Sequence, residues 1–156
     1  MVLSLIKNIV FDIGNVLLYF KPLEFLEKHF GDGKLINILI DEIFKTKEWL
    51  MLDRGTITEE EATKRFCQRN PQYEKPIKKV MESWKNMLTP IESSVELFYE
   101  IKKKGYNTYI LSNYQIAAFD KIYKENDFFR EFDGMVISAK IKLLKPEREI
   151  YEYLLE

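Results

Sequence analysis

Three polar residues of complementary chemistry stand where apolar runs stop: the acid Asp12, the hydroxyl of Ser112 and the ammonium of Lys145. Asp12 closes the run Ile9-Val10-Phe11 and is followed by Gly14 and Asn15. Ser112-Asn113 closes Asn107-Thr108-Tyr109-Ile110-Leu111, and Lys145 ends the loop after Met135-Val136-Ile137. If the three runs are parallel strands, their C-terminal ends share one edge, where α/β folds place their sites. A carboxylate, a hydroxyl and an ammonium meeting there suit phosphoryl transfer. The carboxylate attacks phosphorus and becomes an acyl phosphate, the hydroxyl and nearby N–H groups hold oxygens, and lysine balances charge. An anion attacking a phosphate dianion needs a cation to reduce repulsion, which implies Mg2+. Each residue also has a plainer reading. Asp12 suits a turn or cap, Ser112-Asn113 can cap the following helix, and Lys145 can be a solvated residue at a helix start. A cation at a helix start opposes the helix dipole, which favours the functional reading of Lys145.

The elements that must carry these groups are legible from periodicity. A continuous β-branched and aromatic run such as Ile9-Val10-Phe11 predicts a strand buried on both faces of a parallel sheet. From about residue 20 to 89 the pattern is helical throughout. Pro22 suits the first turn of a helix that Gly31-Asp32-Gly33 stops, and a second helix is predicted over 34–45. Lys47 to Leu52 reads as a short segment that turns at Asp53-Arg54-Gly55. Thr58 with Glu61 forms a capping box for a helix to Arg69, and Ile77, Val80, Met81 and Trp84 mark another helix. From Ile91 helices and strands alternate. Gly105 follows three lysines at a helix end, the second strand follows, and Gln115 opens a helix to Asn126. A short strand ends at Ser138, and a final helix is predicted from Pro146 to Glu156. The fold class is therefore α/β, a parallel-sheet core over 1–19 and 90–156 with a helical insert over 20–89.

Composition narrows the function. Of 156 residues, 46% are hydrophobic and 31% charged, the balance of a globular protein with a sizeable core. The net charge of -1 gives no electrostatic case for nucleic acid or an acidic membrane surface as partner. One cysteine, Cys67, and one histidine, His29, exclude a disulfide framework, a cysteine zinc site and a histidine metal cluster. No signal peptide or membrane-spanning run is visible, so a cytoplasmic location is the expectation.

With these motifs in order, the chain resembles the haloacid dehalogenase superfamily of phosphatases. FDIGNVLL resembles its first motif, YILSN its second and LLKPEREIY its third, with EFDGMVIS leading into the third. LDRGTITEEEA resembles sequence of its small helical cap, and the form DxGNV is similar to that of sugar-1-phosphate phosphatases. The resemblance implies a Rossmann-like core with an inserted helical cap that closes over the site and selects a small phosphorylated metabolite. It implies Asp12 as nucleophile, Asp12 and the Gly14 carbonyl as Mg2+ ligands, and Lys145 with Ser112, Asn113, Gly14 and Asn15 around the phosphoryl group.

Three departures qualify the resemblance. Most of these phosphatases carry an aspartate where this chain has Gly14, and that acid moves the proton of the leaving alcohol. Lys140 and Lys142 stand where an acid and a glycine are usual. A fourth motif, a strand ending in acids that ligate metal, has no counterpart before Glu156. The expectation is a core incomplete at its C-terminus, with weak Mg2+ affinity and low activity. The alternative is an impaired relic or binding module. A two-component receiver also combines Asp, Ser and Lys, but no acid pair precedes Asp12 and a long helical segment follows it.

Overall fold

The computed structural model describes residues 6–156; residues 1–5, the start of the segment 1–19 assigned to the core, lie outside the described residues. Three strands, β1 (Asn8–Phe11), β2 (Asn107–Ser112) and β3 (Gly134–Ile137), form a parallel sheet in the order β1-β2-β3. Phe11 pairs with Ile110, and Ser112 with Ile137, so the residues after each strand emerge along one edge. β2 lies in the centre, with Thr108, Ile110, Leu111 and Ser112 buried. β1 departs from the expectation of burial on both faces. Phe11 is buried, but Val10 is 46% exposed.

Between β1 and β2 the chain is helical: α1 (Pro22–His29), α2 (Gly33–Leu39), α3 (Lys47–Arg54), α4 (Glu59–Arg69), α5 (Glu74–Ser83) and α6 (Glu92–Lys103). Local chemistry sets their ends. Pro22 lies in the first turn of α1, and the Asp32 carboxylate accepts from the N–H groups of Lys34 and Leu35 to open α2. Thr58 and Glu61 close the predicted capping box reciprocally at 3.0 and 3.1 Å. Gly105, at φ 86°, ends α6 after the lysines. One expectation needs correction. Asp53 and Arg54 belong to α3 and not to a turn, because the Thr46 hydroxyl caps the helix at the Trp49 N–H and the left-handed residue is Gly55, at φ 76°.

Helices and sheet share one apolar core that runs from Phe11, Leu18 and Ile110 to Phe66, Trp84 and Phe98. Phe98 stacks on Phe132 at 4.2 Å, which ties α6 to the connection before β3. That connection follows α7 (Ile116–Glu125). Beyond β3 come α8 (Ser138–Ile141) and α9 (Arg148–Leu155), and Ile150 of α9 packs on Leu111 and Val136. α9 begins two residues later than Pro146, since Leu144 to Glu147 form a turn closed by the Glu147 N–H on the Leu144 carbonyl. Lys145 therefore sits in a loop and not at a helix start.

Lys142, the residue where a glycine is usual, adopts φ 60°. A side chain in the left-handed region costs about 1–2 kcal/mol, which glycine avoids. Lys142→Gly is accordingly expected to raise stability by ~1 kcal/mol, read as a shift in the urea midpoint at unchanged slope. The contact from Arg54 to the Lys142 carbonyl, at 3.2 Å, survives the change because it involves backbone.

Candidate active site

The end of β1 delivers Asp12 into a dense hydrogen-bonded setting. One carboxylate oxygen accepts from the Ile13 N–H at 2.8 Å and from the Ser112 hydroxyl at 2.7 Å. The other meets the Lys145 ammonium at 2.9 Å. Lys145 also donates to the Leu111 carbonyl at 3.1 Å, which anchors the ammonium against β2. The three groups that the sequence places at three strand ends thus share one point.

Asn113 holds this arrangement together. Its side-chain oxygen accepts from the Lys145 N–H at 2.8 Å and its amide donates to the Lys145 carbonyl at 3.1 Å. This two-way bond fixes the loop that carries the lysine. The capping reading of Ser112-Asn113 does not hold, since the N-terminus of α7 has no side-chain cap. Asn15 does not join the cluster. Its backbone takes φ 55° and its amide is spent on the Phe20 backbone, accepting at 2.8 Å and donating at 3.0 Å. Asn15 thereby closes the turn that sets Phe20 in place.

Asp12, Gly14, Ser112, Asn113 and Lys145 line one side of a cavity of about 210 Å3. Phe20, Trp49, Asp53, Trp84 and Leu88 line the other, with Tyr114 and Gln115 at the join. The aromatic wall is tightly built, with Trp49 and Trp84 centroids 4.9 Å apart and nearly perpendicular. Asp53, Tyr114 and Gln115 escaped the sequence reading. The signals available were the four-residue spacing that puts Trp49 and Asp53 on one helix face, and the position of Tyr114-Gln115 directly after Ser112-Asn113. Among the described residues the buried Tyr114 hydroxyl has no hydrogen-bond partner. Burial pushes the Asp53 carboxyl up to about 7, against a smaller opposing pull from the Gln115 amide beside it. Burial also drives the Tyr114 phenol upward, with the nearby acids Asp53 and Asp12 adding to the rise.

The buried Ser138 hydroxyl joins the two sides. It accepts from the Tyr114 N–H at 2.8 Å and donates to the Asp53 carbonyl. Beside it, Arg54 donates to the Glu147 carboxylate through both terminal nitrogens, and that contact holds Glu147 below the usual carboxylate range. Helix α3 is thereby fastened to the segment that carries Lys145.

Oxygen donors for a cation are few. Among the described residues no group of three or more His, Cys, Asp or Glu is arranged to hold a metal ion. Asp12, whose side chain is 41% exposed, and Gly14, whose backbone carbonyl is an oxygen donor, line the cavity. Mg2+ is often held by one or two carboxylates, with waters and substrate phosphate completing six oxygens. The donor set fits a Mg2+ shared with a bound phosphate, not one caged by protein alone. No helix among the described residues is long and apolar enough to cross a membrane.

The comparisons with known proteins agree with one another. A sesquiterpene phosphatase of Aspergillus oryzae is 25% identical over 154 residues, spanning 96% of this chain and 73% of its own length. A solved HAD family enzyme of Bacteroides thetaiotaomicron, in complex with magnesium and inorganic phosphate, has a TM-score of 0.68 at 23% identity. That match covers 96% of this chain and 77% of the other. L-2-haloacid dehalogenase of Xanthobacter autotrophicus, with chloropropionic acid covalently bound, has a TM-score of 0.65 at 15% identity, covering 96% of this chain and 64% of its own. Both likenesses are of fold. The family model for haloacid dehalogenase-like hydrolases matches residues 6–156, which takes in all three strands and every residue around Asp12. The chain belongs to the haloacid dehalogenase-like hydrolases.

Proposed function

We propose that this protein hydrolyses phosphomonoesters of small metabolites through a phosphorylated Asp12, with Mg2+ as cofactor. The observation that carries the reading is the grip on Asp12: Ser112 at 2.7 Å on one oxygen and Lys145 at 2.9 Å on the other, at the floor of a cavity. In this reading a carboxylate oxygen of Asp12 attacks phosphorus and the bond to the leaving oxygen breaks. Ser112 turns its hydroxyl from Asp12 to a phosphoryl oxygen, and Lys145 balances the charge that builds there. Asn113 acts through Lys145, whose backbone it holds. Asp12 and the Gly14 carbonyl would bind the Mg2+, which supplies charge neutralisation for the phosphoryl oxygens when bound.

We read residues 20–89 as a cap over a core of 1–19 and 90–156. The makeup of the cavity supports this, since Phe20, Trp49, Asp53, Trp84 and Leu88 all come from the helical segment. A cavity of about 210 Å3 is below the several hundred Å3 of typical ligand pockets, which favours a small leaving group. The relationship to a phosphatase at 25% identity points to the same reaction class.

The test is release of inorganic phosphate from p-nitrophenyl phosphate with Mg2+, repeated after chelation by EDTA. Turnover that disappears with the metal is the expected result. Saturable binding of phosphate without any metal-dependent turnover would sink the catalytic reading and leave a binding module.

A further inference from the structure

Phosphoryl transfer from an ester leaves an alkoxide, which needs a proton, and the later attack by water releases one. The acid on the cavity floor cannot serve both needs. Asp12 is the nucleophile in the reading above, and both its oxygens are engaged. Gly14 contributes no side chain. One further acid lines the cavity, Asp53 of α3.

Asp53 is built differently from Asp12. Among the described residues it has no ion-pair partner. The charged and titratable groups around it are occupied or distant in role. Asp12 and Lys145 are paired with each other, and Arg54 of the same helix is engaged with Glu147. The remaining neighbours are Tyr114 and Gln115, whose amide lies beside the Asp53 carboxyl. A half-buried carboxyl without a cation beside it keeps its proton to higher pH than a solvated one, in line with the rise to about 7. Two carboxyls in one cavity, one paired with a cation and one not, is the arrangement that separates nucleophile from acid. The Ser138 hydroxyl, bonded to the Asp53 carbonyl and the Tyr114 N–H, fixes the backbone that carries this acid.

We propose that Asp53 is the proton carrier of the reaction, supplied from the helical segment to a core that holds the nucleophile. Its carboxyl protonates the leaving oxygen as the phosphorus–oxygen ester bond breaks and the phosphoryl group passes to Asp12. The product alcohol departs, leaving Asp53 as carboxylate. A water then attacks phosphorus, Asp53 takes its proton, and the bond to Asp12 breaks. Inorganic phosphate is released and both acids return to their starting states. This inference rests on the phosphatase reading.

Asp53→Asn separates the possibilities when kcat/KM is compared for two esters with Mg2+ present. An alkyl phosphate needs the proton, and p-nitrophenyl phosphate, with its stable phenolate, does not. The expected loss is about 10²–10⁴-fold for the alkyl ester and under about 10-fold for p-nitrophenyl phosphate, with a burst of nitrophenol because attack by water is slowed. The fall of alkyl-ester kcat/KM as pH rises through about 7 is expected to vanish in the variant. Equal losses on both esters, or an unchanged pH limb, overturn the inference and leave the phosphatase reading standing. Wild-type protein that turns over neither ester overturns both. A readout independent of turnover is thermal stability. A carboxyl whose folded pKa is raised stabilises the protein at low pH, and that contribution is lost as pH rises through the folded value. Asp53→Asn is therefore expected to gain stability over wild type above about pH 7 and to lose that advantage toward about pH 4. A pH-independent difference shows an Asp53 that titrates like a solvated acid and overturns the inference.

Discussion

Asp12→Asn is expected to remove turnover by about 10⁴-fold or more, with little change in thermal midpoint. The amide matches the carboxylate in shape, so its oxygen can still accept from the Ile13 N–H and the Ser112 hydroxyl. It has almost no nucleophilicity toward phosphorus, so the covalent route closes. Lys145 loses its anion but keeps the Leu111 carbonyl at 3.1 Å and is 23% exposed, so no charge is stranded in an apolar interior. Removing one negative charge from the cavity floor should also tighten binding of inorganic phosphate, which calorimetry can read. Turnover within tenfold of wild type would assign the nucleophile elsewhere.

The second large effect lies away from the reacting atoms. Gly55 has φ 76°, and a Cβ added there would stand 2.3 Å from the Ala139 carbonyl oxygen. The first property costs about 1–2 kcal/mol in any L-residue. The second forces α3 away from α8, a contact between two backbones with no flexible side chain to yield, and overpacking of this kind costs about 1–3 kcal/mol. Gly55→Ala is expected to destabilise by roughly 2–5 kcal/mol in all, or a fall in midpoint of about 5–15 °C. Turnover at low temperature should fall as well, because Asp53 and its bond to Ser138 are two residues away. A midpoint within about 2 °C of wild type would show that α3 and α8 are less tightly apposed than in this structure.

Much of the cluster around Asp12 is legible in sequence because Asp12 and Ser112 lie at strand ends, and strand ends are marked by residue type. Asp12, Ser112 and Lys145 each follow an apolar run, and parallel pairing brings them together without any knowledge of side-chain packing. Local signals were equally readable: the Thr58–Glu61 box, Pro22 and Gly105 each answer to hydrogen bonds or dihedrals within a few residues. What sequence did not disclose depends on contacts between distant segments. Asp53 reads as a turn residue because an acid before Arg-Gly is common in turns, and its burial follows from packing by Tyr114 and Gln115, some sixty positions on. Asn15 looks like a ligand beside Gly14, yet its amide is consumed by Phe20 five residues later. Val10 fits a buried strand by type, and its exposure depends on what covers that face of the sheet, which no local pattern encodes.

The pairing of β1 with β2 has a consequence for how the molecule comes into being. Asn8 and Asn107, ninety-nine positions apart, face each other across the ladder and share a side-chain hydrogen bond of 2.8 Å. Closing a loop of that length costs on the order of 4 kcal/mol in chain entropy before any ladder bond repays it. The intervening helices draw on local contacts and can form first, whereas the grip on Asp12 exists only once this long-range closure is complete. Asp12 is thus among the last residues to acquire its surroundings, so the setting of the site is a late product of folding.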